Sequence, residues 1–327
     1  MLYVDGKPLI SIGKGNVITK VPNHDPKYIG SVYVKNTCMV RVLTGTTSNY
    51  RVPAMNRFYD LLCWKGGNAS SATNKPSAGG FEIEMTFEST KSDDNWQTII
   101  GARGGSVSAI QRINMLISSA GQIQHGVSQI PSSNTGYGDV SLIGRKVTAR
   151  QIIIPTTSET YKHAYSSRII VTDCETNETL VDETDVFGEN AGKDLMVTNG
   201  GTFYRFPWAL FYRASTYTPS SQTSGANGFE GYFWGGKIYA NPTGIDSTFP
   251  TRVPIHVFTP AQKGVPFDGT RTFDWGSTTP YTPQKDCVMA ETVDVVSWSS
   301  GIYNKLSGRG NLAIPAAFSS GTVQYID

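Results

Sequence analysis

The chain has 327 residues, with 28 Lys plus Arg against 26 Asp plus Glu, a formal net charge of +2 and only 17% charged side chains. That balance leaves no electrostatic footprint for nucleic acid or for an anionic membrane surface. No stretch approaches the run of about eighteen apolar residues that a membrane helix needs, so no span is expected.

Met1-Leu2-Tyr3-Val4-Asp5-Gly6-Lys7 has no basic start followed by an apolar run, so a signal peptide is not expected. Asp5-Gly6 after an apolar stretch signals a hairpin. Ser31-Val32-Tyr33-Val34 and Met39-Val40-Arg41-Val42 form a pair of candidate strands, after a loop at Val21–Pro26. The spacing of Phe58, Leu61 and Leu62 predicts a short helix over Pro53–Trp64, with Asn56 as a candidate cap. Gly66-Gly67 ends it. The small polar residues 65–78 read as a linker, which sets a small β subdomain, 1–78, apart from the rest of the chain.

Gly79-Gly80 then opens the clearest pattern in the chain. Phe81, Ile83, Met85 and Phe87 alternate with Glu82, Glu84, Thr86 and Glu88. Side chains on a strand alternate with period two, so this is a strand with one apolar and one polar face. Further strands are predicted at Trp96–Gly101, Arg112–Ile117, Gln122–Val127, Lys146–Ile154, Arg168–Thr172, Thr179–Asp182, Trp208–Arg213 and Gly228–Tyr239. Turn signals separate them at the spacing of a β-sandwich. Residues 242–327 are punctuated by Pro, Gly and Thr, with short strands at Ile255–Phe258 and Thr292–Trp298. Their apolar ends, Ala313–Phe318 and Tyr325–Asp327, are able to dock on something.

The residues 79–241 resemble the concanavalin A-like lectin/glucanase fold in its laminin-G-like form. The resemblance is carried by the opening strand at Gly80–Phe87, the hairpin at Met115–Ile123, the hairpin at Arg168–Asp182 and the closing strand at Phe229–Tyr239. It implies an all-β protein: an antiparallel, jelly-roll β-sandwich over 79–241 with β-rich extensions at 1–78 and 242–327. Members of the family often hold calcium through clustered Asp and Asn. The best candidate here is Asp93-Asp94-Asn95, which reads much more readily as a charged turn before Trp96, so no clear calcium site is present. No cofactor is expected.

Glycosidases on this fold place carboxylates on one strand as Glu-x-Asp-x-Glu or Glu-x-Asp-x-x-Glu. This chain has Glu82, Glu84 and Glu88, with Thr86 where the acid/base should stand. Spacing alone excludes nothing, since residues two apart on a strand lie roughly 6.5–7 Å apart. The broken pattern favours the polar face of an amphipathic strand. The four histidines, His24, His125, His163 and His256, sit at no metal or triad spacing, and no nucleophile elbow or phosphate loop is present. The four cysteines lie far apart and outside any CxxC pair, which argues for free thiols.

Aromatics crowd residues 203–234. If Phe229 and Phe233 face inward, Tyr232 and Trp234 face outward; if Phe211 faces inward, Trp208 and Tyr212 face outward. Trp208, Tyr212, Tyr232 and Trp234 are therefore the candidate contact residues, for a sugar ring or for a neighbouring subunit. A lectin-like sandwich with arms rich in Gly, Thr and Pro resembles bacteriophage virion proteins. That resemblance implies a non-enzymatic capsid-decorating, head-fibre or tail-adhesion subunit located in the virion. Its expected partners are other virion proteins through the terminal arms, further copies of itself, and a host-surface glycan. The alternatives are a glycoside hydrolase or lyase using Glu82, Glu84 or Glu88, and a secreted carbohydrate-binding module.

Overall fold

The computed structural model describes residues 2–4, 7–12, 18–19, 25–37, 39–41, 80–90, 96–104, 111–127, 139–156, 164–188, 208–211, 228–244, 251–260, 289–299, 302–313 and 321–326. The predicted helix over Pro53–Trp64, the linker 65–78 and the Asp93-Asp94-Asn95 turn lie outside the described residues. Within them the chain is all-β: every pair of named strands is antiparallel, and the helical content is one 3-10 turn, Pro26–Tyr28.

Three short strands, β1 (Leu2–Val4), β2 (Lys7–Ile12) and β3 (Ile18–Thr19), form a sheet of their own. Val4 pairs with Lys7, and the Asp5-Gly6 hairpin signal lies outside the described residues. All other strands belong to one hydrogen-bonded sheet that folds into two layers. One layer holds β12 (Thr179–Gly188), β11 (Ala164–Asp173), β10 (Lys146–Thr156), β6 (Phe81–Ser89) and β14 (Glu230–Ala240) in that order. The other holds β5 (Met39–Arg41), β13 (Trp208–Leu210), β7 (Gln97–Gly104), β8 (Gln111–Ile117) and β9 (Ile123–Val127). The hairpin of β16 (Met289–Ser299) and β17 (Ile302–Ala313) joins them, through β15 (Val253–Pro260) on one side and β5 on the other.

Alternation builds the core. Phe81, Ile83, Met85 and Phe87 of β6 are essentially unexposed, and so are their register partners Ile153, Ala149 and Val147 of β10. From the other layer Ile100, Met115, Ile117 and Ile123 close over them in one cluster. Each large side chain buried this way contributes about 1.5–3 kcal/mol. Gly80 begins β6 at φ +60, and a Cβ there would strike the carbonyl oxygen of Ile153, so only glycine fits.

The strands expected as a pair before residue 79 part company. β4 (Val32–Lys35) pairs with β14 and with β18 (Thr322–Tyr325), whereas β5 pairs with β13 and β17. They therefore lie in opposite layers. Strands from both flanks thus pair with strands of 79–241. Ile326 is buried beside Ser31, its amide bonded to the Ser31 carbonyl at 2.9 Å.

Candidate functional site

β14 is the strand on which the outward face is organised. Its burial alternates from Glu230 to Gly236: Phe233 is buried, Tyr232 and Trp234 are half-buried on the opposite face. β6 runs along the full length of β14 on one side. The other side forks. β4 pairs with Glu230–Phe233, and β15 takes over only at Gly236. Trp234 stands at the fork, where a register shift between Phe233 and Gly235 inserts one extra residue. Gly235 has φ +124, and a Cβ there would lie 2.7 Å from the Phe258 carbonyl oxygen.

The 3-10 turn brings a third ring to this place. Tyr28 stacks on Tyr232 with centroids 3.7 Å apart and planes 13° from parallel, and lies 6.2 Å from Trp234. Tyr33 of β4 tilts against Tyr232 at 5.1 Å. The result is a contiguous outward aromatic plate in which Tyr28 covers one face of Tyr232 and Trp234 lies beside the pair. Charges frame it. The Tyr28 hydroxyl donates to Glu88 Oε1 at 2.9 Å, Lys27 Nζ is 3.0 Å from Glu88 Oε2, and Lys146 Nζ lies 4.1 Å over the Trp234 ring. Burial, and then the Glu88 carboxylate, push the Tyr28 hydroxyl above its ordinary range. Burial and then the neighbouring Glu230 push Tyr33 up to about 12.

Further along the same face, the row of carboxylates is tied down by arginines. Glu82 is fully buried; Arg150 Nε donates to it at 2.7 Å and Arg252 Nη2 at 3.0 Å. The same Nη2 donates to Glu84 at 2.6 Å, and the Tyr239 hydroxyl donates to Glu84 at 3.1 Å. Burial alone would raise the Glu82 carboxyl, but the hydrogen bonds from Arg150 and Arg252 more than reverse it and hold it low. A general acid needs the opposite displacement. Thr86 makes a hydroxyl–hydroxyl hydrogen bond with Thr148 of β10, at 2.9 Å.

A second polar cluster lies between the layers. His125 Nδ1 is 2.8 Å from Ser167 Oγ, Gln151 Nε2 donates to Ser167 at 3.2 Å, and Asp185 Oδ2 is 3.8 Å from His125 Nε2. Serine, histidine and aspartate meet here as in a hydrolase triad, but with the two ring nitrogens exchanged and with Ser167 completely buried. Burial pushes the His125 imidazole down to about 3. Among the described residues no group of three or more His, Cys, Asp or Glu is placed to hold a metal ion.

Of the four candidate contact residues, the structure brings Tyr232 and Trp234 together. Trp208 opens β13 and pairs with Ala102 in the other layer, and Tyr212 lies outside the described residues. The inference that set Trp208 and Tyr212 against Phe211 assumed an unbroken strand. β13 ends at Leu210, and Phe211 turns to φ +67, so Leu210 and Phe211 are both buried. Sequence reasoning missed Tyr28, Lys27 and Lys146. They reach the plate from segments far away in the chain, and no local pattern marks them.

No family model matches the sequence, and no curated protein matches it. Among solved structures, the chain is similar to the Ruminococcus gnavus IT-sialidase CBM40 bound to alpha2,3 sialyllactose. That match has 11% identity and a TM-score of 0.34, over 62% of this chain and 88% of the other. A SAP-like pentraxin from Limulus polyphemus matches at 10% identity and a TM-score of 0.33, over 87% and 98%. Tailspike protein 2 from an Escherichia coli O157:H7 bacteriophage matches at 11% and 0.32, over 63% of this chain and 26% of its own. Likeness at this level carries no functional argument, and the β-sandwich rests on the strand pairings themselves.

Proposed function

We propose that this chain is a non-enzymatic virion subunit, capsid-decorating, head-fibre or tail-adhesion, that acts by surface contact. Its contact face is the plate of Tyr28, Tyr232 and Trp234, which takes a host-surface glycan or a neighbouring subunit. The observation that carries the reading is the plate itself: three rings made contiguous on a sheet face by residues from two distant segments. Stacked rings of this kind suit the apolar face of a sugar. One such contact is weak; many copies on one particle make it strong. The virion setting is an analogy of fold and composition.

The rival reading, a hydrolase or lyase, would use Glu82, Glu84 or Glu88. Against it stand the burial of Glu82, the arginine clamp on Glu82 and Glu84, and the hydrogen bond and ion pair that occupy Glu88. The secreted-module reading shares the plate and differs only in where the protein works. The test is a glycan panel assayed twice, for binding and for release of reducing ends. Binding that falls in Trp234→Ala, without turnover, supports the proposal. Turnover that vanishes in Glu84→Gln overturns it. Co-sedimentation of the full chain with phage particles separates a virion subunit from a free module.

A further inference from the structure

Lys146 is a cation whose cross-strand acid is already engaged by other groups. It stands directly across from Glu88 in the pairing of β10 with β6. Opposite charges at such positions ordinarily pair. Here both oxygens of Glu88 are already engaged: Oε1 by the Tyr28 hydroxyl at 2.9 Å, Oε2 by Lys27 at 3.0 Å. Lys146 is left over the Trp234 ring at 4.1 Å, with no carboxylate partner among the described residues. The arginines of the same sheet are different. Arg145, Arg150, Arg168 and Arg252 each hold a carboxylate. Lys237, also outward on β14, shares the lack of a partner but has no ring contact among the described residues.

We infer that Lys146 and Trp234 form a subsite for a carboxylate-bearing sugar, a pyranose that lays its apolar face on the plate and its carboxylate on the ammonium. The inference rests on the glycan arm of the reading above and narrows it. The geometry makes two demands on a ligand. The half-buried indole at the fork, beside the Tyr28–Tyr232 stack, offers an apolar surface of ring size next to the ammonium. The ammonium at its face has three N–H donors, none of them given to a carboxylate of the described protein. A neutral sugar meets the first demand only. A small carboxylate such as acetate meets the second only. A uronate or sialate-type sugar meets both. Lys27 neutralises Glu88, so the acid nearest to Lys146 does not repel an incoming carboxylate.

The experiment is calorimetric titration of the full chain with trigalacturonate and sialyllactose, against galactotriose and lactose as neutral counterparts, with acetate as the bare carboxylate. The expected result is at least one acidic sugar bound about tenfold or more tighter than its neutral counterpart, and no measurable acetate binding. Lys146→Gln should erase that preference, leaving acidic and neutral sugars equal. Trp234→Ala should abolish binding of both, with Trp234→Phe as the substitute if the alanine variant does not fold. Arg168→Gln, an exposed cation elsewhere on the same face, should change nothing. A preference that survives in Lys146→Gln, or falls equally in Arg168→Gln, overturns the inference. Neutral sugars bound as tightly through Trp234 would overturn it too, while leaving the glycan reading standing. If no sugar of either kind binds, the glycan reading fails with it.

Discussion

Tyr28 lies flat on Tyr232, 3.7 Å between centroids, and its hydroxyl donates to Glu88, the register partner of Tyr232 on β6. The 3-10 turn that carries Tyr28 is fixed at its start by Asp25, whose carboxylate accepts from the Lys27 amide at 3.0 Å, and at its end by Gly30, whose amide donates to the Ile326 carbonyl at 2.8 Å. The ring stack is worth about 0.5–1.5 kcal/mol and the hydrogen bond to an ionised group about 1.5–3 kcal/mol, less where solvent screens it. Tyr28→Ala should therefore lower unfolding stability by roughly 2 kcal/mol, and Tyr28→Phe by about half as much. Urea unfolding of the two variants checks this. Equal losses would mean that the ring stack contributes nothing.

Arg252 combines a strained backbone with two ion pairs. It has φ +53, a left-handed conformation that ordinary side chains avoid, and its guanidinium sits 4.0 Å over Tyr239 while bonding Glu82 and Glu84. Strain of this kind costs on the order of 1 kcal/mol and persists only where the surroundings hold it. Arg252→Ala keeps the strain and leaves buried Glu82 with Arg150 alone, a loss of roughly 2 kcal/mol. Arg252→Gly removes the strain as well and should be about 1 kcal/mol less damaging than alanine. A glycine variant no more stable than the alanine one would show that the turn is relaxed.

How far the sequence foretold this is visible on β6. The alternation of Phe81, Ile83, Met85 and Phe87 identified the core face, and all four are buried. The polar face was equally legible as polar. What it did was not, because Arg150 comes from β10 and Arg252 from the turn before β15, and local periodicity brings neither to β6. The same limit applies to β4 and β5, adjacent in sequence and assigned to opposite layers. Apolar pattern makes a strand but does not choose its neighbour. Tyr232 and Trp234 were readable from the alternation around Phe233, whereas Phe211 broke the rule through one left-handed residue. The plate itself needed Tyr28, and nothing near Tyr28 in the chain points to β14.

Gly235 sets the fork. Its φ of +124 and the 2.7 Å approach of a Cβ to the Phe258 carbonyl oxygen leave no room for a side chain. Gly235→Ala should destabilise the fold by roughly 2 kcal/mol or more and displace Trp234 from Lys146. The measurement is tryptophan emission together with thermal melting. A melt at the wild-type temperature with unchanged emission would show that β15 gives way easily.

His125 makes stability depend on pH in a definite direction. Its folded pKa of about 3 lies below the ordinary 6.5, so between these values the unfolded chain binds the extra proton and the folded chain does not. Stability is fully present above about pH 6.5 and falls as the pH drops towards 3, at up to about 1.4 kcal/mol per unit for one proton. Asp185, 3.8 Å away, has a carboxyl raised by burial and acts in the opposite sense. Its folded form takes up a proton before its unfolded form does, which stabilises the fold as the pH falls through the upper part of the carboxylate range. The net expectation is a melting temperature that declines from pH 6.5 to pH 5. His125→Gln keeps a hydrogen-bonding group near Ser167 and removes the ionisable ring, so its decline between pH 6.5 and pH 5 should be much smaller. Differential scanning calorimetry of both proteins across this range decides the matter. An identical slope in His125→Gln would place the acid sensitivity elsewhere in the protein.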